Sequence, residues 1–112
     1  MTDLKHSSCE PCNKGSEPLL PEDYSGLLGE VPDWQVVEYK GEKQLERTFK
    51  LKNFAEALAF TNRVGALAEA EDHHPAILLE YGKVRVNWWT HAIGGLHRND
   101  FIMAARTDDE FS

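Results

Sequence analysis

Asp72-His73-His74-Pro75 opens the stretch that decides the fold, and Thr90-His91 closes it. Between them, residues 76–90 form two short, largely apolar runs on either side of Tyr81-Gly82-Lys83, the pattern of two strands joined by a tight turn. The strands of a hairpin run antiparallel, so its two ends meet. The spacing therefore predicts that His73, His74 and His91 are neighbours in space. Pro75 disfavours helical geometry at His74, so a helix arriving from upstream must give way to strand at the histidine pair.

Such a helix is expected over residues 54–70. Asn53 stands at its start with Glu56 three residues on, in capping-box spacing. Six alanines supply propensity, and Phe54, Leu58, Phe60, Val64 and Leu67 supply an apolar side. Glu69, Glu71 and Asp72 crowd its C-terminal end, where the helix dipole disfavours carboxylates. A local violation of this kind points to a site.

Further upstream, residues 34–39 read as a strand, and Lys40-Gly41-Glu42-Lys43 as a turn. The next strand sets Leu45, Phe49 and Leu51 against Glu46, Thr48 and Lys50; Arg47 interrupts the apolar row and is expected near an edge. Val84, Val86 and Trp88 alternate with Arg85, Asn87 and Trp89 in the second hairpin. A short helix, 21–28, opens on Pro21-Glu22-Asp23 and carries Tyr24, Leu27 and Leu28 on one face. After Gly94-Gly95, a last helix over 98–110 turns Phe101, Ile102 and Ala105 inward.

The expected fold class is α+β: a four-stranded antiparallel sheet in ββαββα order, with helices packed on one face. The other face would carry Arg85, Asn87, Trp89 and Thr48. That mixture is too aromatic to be wholly solvated, so association through this face or an edge strand is expected, as a homodimer or homotetramer.

With 112 residues the chain has room for one core. Residues 1–21 read as a flexible N-terminal tail and 22–112 as the folded domain. A net charge of −7 argues against a nucleic-acid or anionic membrane surface, both of which require clustered Lys and Arg. No apolar run reaches the roughly 20 residues that span a bilayer, and the N-terminus lacks a signal-peptide pattern, so the expected location is cytoplasmic. Cys9 and Cys12 form a C-x-x-C pair near His6. The surrounding Pro11, Asn13, Gly15 and Pro18 mark a loop, and a structural zinc needs about four ligands, so reduced thiols in a tail are expected.

Three imidazoles that titrate near neutral pH suit proton transfer. A metal site would need Asp72 and Glu69 beside the histidines, but adjacent histidines rarely converge on one ion, and no metal is expected. The plain alternative is a set of polar residues capping a helix end. No serine or cysteine is placed as a nucleophile and no phosphate loop is present. The chemistry implied is dehydration, hydration or tautomerisation.

Glu69-x-x-x-His73-His74-Pro75, then Tyr81, Thr90-His91 and Asp100 resembles the signature of the pterin-4a-carbinolamine dehydratase family. Trp34, Phe54 and Arg63-Val64 fit the same pattern, so the likeness runs from about 34 to 101 and marks 22–112 as a domain of that type. The resemblance implies a substrate, 4a-hydroxytetrahydropterin, and a product, quinonoid dihydropterin. It implies a link to an aromatic amino acid hydroxylase and to phenylalanine catabolism, with no cofactor because the pterin is itself the substrate. By resemblance, His73 and His91 are the main acid–base pair and His74 assists. Asp72, Trp89 and Thr90 would touch the pterin, with Glu69, Pro75 and Trp34 as further substrate contacts. Asp100 would orient a catalytic histidine or stabilise the start of the last helix. A second role implied by the family is as a dimerisation partner of a transcription factor.

Overall fold

A computed structural model describes residues 19–111. Cys9, Cys12, His6 and most of the expected tail lie outside them. The element order is α1 (Pro21–Leu28), β1 (Gln35–Tyr39), β2 (Glu42–Lys50), α2 (Phe54–Glu71), β3 (Ala76–Glu80), β4 (Lys83–Trp88), a 3-10 turn (His91–Ile93) and α3 (Arg98–Phe111). The four strands form one antiparallel sheet in the order β1-β2-β4-β3, so the two hairpins meet through β2 and β4. The α+β architecture read from the sequence is the one observed. No described helix is long and apolar enough to cross a membrane.

Local chemistry explains the elements. Lys40 and Gly41 both take positive φ, the geometry of a two-residue turn whose twist matches its strands. Asn53 caps α2 by accepting the Glu56 N–H at 2.9 Å. At the other end, Asp72 adopts the left-handed conformation, and the N–H groups of Asp72 and His73 both turn back to the Ala68 carbonyl. This closure stops the helix one residue before the histidine pair.

Leu45 and Phe49 of β2 and Val84, Val86 and Trp88 of β4 point to one face, where α2 and α3 cover them. Phe49 meets Phe60 at 4.7 Å and Phe111 at 5.0 Å between ring centroids. Two expectations are corrected here. The buried stripe of α2 is Ala57, Phe60, Val64, Leu67 and Ala68, whereas Phe54 and Leu58 are 45% and 42% exposed. At about 100° per residue, these two fall on the flank of that stripe. Arg47 is not near an edge, because β2 is a central strand. It stays in the inward row because Asp108 of α3 binds its guanidinium at 2.6 Å, over the faces of Phe49 and Phe111. Burial outweighs the Arg47 and Trp34 contacts at Asp108 and pushes its carboxyl above the usual range.

Candidate active site

Past the last paired residues of β3 and β4, Ala76 and Trp88, the chain leaves the sheet at one end. His73, His74, Thr90 and His91 all lie within three residues of those two strand ends. They are held in three distinct ways.

His73 is the most enclosed, its side chain 11% exposed. Its Nε2 lies 2.7 Å from Asp100 Oδ1. Asp100 is fully buried, and its Oδ2 accepts the Thr90 hydroxyl at 2.8 Å and the His97 N–H at 2.9 Å. With a carboxylate as acceptor, Nε2 carries the ring proton and Nδ1 is left as the lone-pair nitrogen. Asp100 thus stabilises the α3 start and binds His73 at once. The His97 N–H on Asp100 and the Asn99 N–H on His97 Nδ1, at 3.0 Å, together cap the start of α3. One indole face of Trp88 lies parallel to the His73 ring, 5.7 Å between centroids and 7° between planes.

His74 and His91 face water. His74 Nε2 meets Glu69 Oε2 at 2.5 Å, across the helix end that Asp72 closes. His91, 82% exposed, opens the 3-10 turn; Trp89 donates its indole N–H to His91 Nδ1 at 3.2 Å, and Glu42 lies 3.8 Å from the same atom. Thr90 joins the two sides: its side chain reaches inward to Asp100 while the next residue turns outward. Two of the three carboxylates at the end of α2 that contradict its dipole have cationic or titratable partners, Glu69 with His74 and Glu71 with Arg106 at 3.1 Å.

The structure therefore gathers His73, His74, His91, Asp100, Thr90, Trp89, Glu69, Asp72 and Pro75 at one end of the sheet. Trp34 is elsewhere. It is buried, packs edge-on against Phe49 and donates to Asp108 at 2.8 Å. Asp108 is eight residues, or about 12 Å of helix, beyond Asp100. A polar cleft of about 310 Å³, lined by Asp33, Gln35, Glu46, Arg47 and Thr48, includes none of the three histidines. No group of three His, Cys, Asp or Glu among the described residues is arranged to hold a metal ion.

Three neighbours of the site were not singled out from sequence. Trp88 read simply as core. His97 read as part of a loop. Thr107 is a polar residue in the buried face of α3, seven positions after Asp100, and that spacing was the available signal.

Known proteins carry the same pattern. Residues 17–110 match the family model described as pterin 4 alpha carbinolamine dehydratase. A protein from Microcystis aeruginosa is 54% identical over 109 residues, 97% of this chain and 94% of its own, and one from Chlorobium limicola is 57% identical over 107 residues, 96% and 95%. Both carry the provisional name pterin-4-alpha-carbinolamine dehydratase. Among solved structures, a transcriptional coactivator/pterin dehydratase from Brucella melitensis superposes with a TM-score of 0.78 at 29% identity, over 86% of this chain and all of its own. A pterin dehydratase-like protein, identified as a RuBisCO assembly factor, shares the fold at a TM-score of 0.60 and 23% identity, over 70% of this chain and 88% of its own.

Proposed function

Because the chain belongs to the pterin 4 alpha carbinolamine dehydratase family, we propose that it dehydrates 4a-hydroxytetrahydropterin by histidine acid–base catalysis. The observation that carries this reading is the 2.7 Å contact between His73 and the buried Asp100. It presents an imidazole with one nitrogen held and the other free to take a proton. The substrate loses its N5 proton, the N5–H electrons form a C4a=N5 double bond, and the C4a hydroxyl leaves as water after gaining a proton. His73 Nδ1 receives the N5 proton. His91, open to solvent, takes up a proton at Nδ1 facing Glu42 in place of the Trp89 contact and, as the imidazolium, protonates the hydroxyl; His74 with Glu69 holds the substrate. Asp72, Pro75, Thr90 and Trp89 frame the pterin from the two strand ends.

Quinonoid dihydropterin is the form that a reductase returns to tetrahydropterin, so the reaction would serve aromatic amino acid hydroxylation and phenylalanine catabolism, in the cytoplasm and as a homo-oligomer. Ultraviolet monitoring of carbinolamine decay, with the substrate generated by a hydroxylase, tests the proposal. Wild-type protein should accelerate the decay. His73→Ala and His91→Ala should each lower that effect at least about tenfold while leaving the fold intact. Full rates in both variants would defeat the acid–base assignment.

A second reading, a protein-docking module, is favoured by the exposed Phe54 and Leu58 on α2 and by the coactivator role in the Brucella protein's description. Pull-down of a partner protein by both wild-type protein and His73→Ala would separate that role from catalysis.

A further inference from the structure

His73 is gripped from two points on one helix. Asp100 and Thr107 are seven residues apart on α3, two turns along the same buried face and about 10 Å from one another. Asp100 touches the imidazole directly. Thr107 reaches it through Trp88. Its hydroxyl donates its proton to the Met103 carbonyl at 2.6 Å, so toward Trp88 it can only accept, and the indole Nε1–H donates to it at 3.1 Å. The hydrogen-bond direction is therefore fixed from Trp88 through Thr107 to Met103. Trp88 and Thr107 are both fully buried, and the indole lies parallel to the His73 ring.

A hydrogen bond to Asp100 sets where Nε2 points but leaves the ring able to tilt about that contact. A flat wall parallel to the imidazole removes the tilt, provided that the wall cannot turn. The Thr107 hydroxyl supplies that condition. A hydrophobic residue at position 107 would fill the same space and bury the Trp88 N–H without an acceptor. A threonine in the covered stripe of α3, among Phe101, Ile102, Met103, Ala104 and Ala105, is otherwise a poor choice for packing.

From this geometry we infer that Thr107, acting through Trp88, is a positioning residue that fixes the plane of the His73 ring. The inference rests on the acid–base role proposed for His73, and it adds two residues that touch no substrate. Substrate binding should be indifferent to them, whereas the proton-transfer step should not be, because a small misplacement of a reacting group is costly in rate.

The test uses Thr107→Val, Thr107→Ser and Trp88→Phe. Two readouts are taken: the ring ¹⁵N chemical shifts of His73 in free protein, and kcat and KM for the carbinolamine. Thr107→Val should shift and broaden the His73 ring signals while the Asp100 contact keeps the Nε2–H tautomer, and lower kcat about fivefold or more, with KM changed less than about twofold. Thr107→Ser, which restores the hydroxyl, should recover both. Trp88→Phe keeps a flat face without the N–H and should behave like Thr107→Val; if the valine variant does not fold, this variant decides. Wild-type ring shifts and kcat in Trp88→Phe, or no recovery in Thr107→Ser relative to Thr107→Val, would overturn the inference. The ring shifts need no turnover. An active His73→Ala protein would thus remove the catalytic reading without deciding the positioning one.

Discussion

Replacing Asp100 by asparagine changes charge and hydrogen-bonding capacity at almost constant volume, and the outcome follows from three distances. His73 Nε2, Thr90 Oγ1 and the His97 N–H reach the native carboxylate at 2.7, 2.8 and 2.9 Å, the last two on the same oxygen. Asparagine satisfies that pair by placing its carbonyl oxygen at Oδ2, which turns its NH₂ toward His73. An NH₂ group cannot accept, so Nε2 must become the acceptor and the ring proton must move to Nδ1. The nitrogen proposed as the base is then a donor. Exchanging charge-assisted hydrogen bonds for neutral ones at this buried site should cost about 2 kcal/mol, or roughly 10 °C in Tm for a domain of this size. Losing the base should lower the dehydratase rate about 100-fold. Asp100→Ala leaves three donors without an acceptor, at about 1–3 kcal/mol each, and should come close to unfolding the protein. Urea denaturation, His73 ¹⁵N shifts and carbinolamine decay, measured side by side, check the chain of reasoning. Equal destabilisation by Asn and Ala, or an asparagine variant with the native tautomer and full rate, would refute it.

Other consequences are independent of the histidines. Asp108 has a folded pKa raised above its ordinary value of 3.8, so the native state holds this proton more tightly than the unfolded chain does. Its contribution to stability is therefore fullest below the ordinary carboxylate range and falls as pH rises through the raised pKa. The stability of wild type relative to Asp108→Asn should be greater at pH 4 than at pH 7 in urea titrations; an equal or opposite difference would contradict the sign. Phe60→Ala should cost about 3–5 kcal/mol, because the buried ring packs on Phe49 and Phe111. Leu58→Ala, on the exposed flank of the same helix, should change stability by no more than about 0.5 kcal/mol by the same denaturation assay. Light scattering at micromolar concentration should give a dimer or larger species; a strict monomer would count against association through the open sheet face or an edge strand.

Strand alternation, the Asn53 cap and the break at Pro75 act over a few residues, so the sequence alone determined the element order and most element bounds. It also determined that the hairpin of β3 and β4 returns His91 to the end of the sheet where His73 and His74 lie, because a tight turn leaves an antiparallel pair no other course. What the chain could not disclose locally was set by contacts between distant residues. Arg47 could stay in the inward row because Asp108, 61 positions later, meets it there. Trp34 lies at the Asp108 end of α3, away from the histidines, where its indole N–H donates to that carboxylate at 2.8 Å. The stripe of α2 shifted from Phe54 and Leu58 to Ala57 and Ala68, since the helix's rotation is chosen by the surface it lands on. The same holds at the site. Periodicity can bring three imidazoles to one end of a sheet, but which of them is buried and which ring nitrogen holds the proton depend on where α3 docks, and only the folded chain places Asp100 against the His73 ring and Thr107 against Trp88.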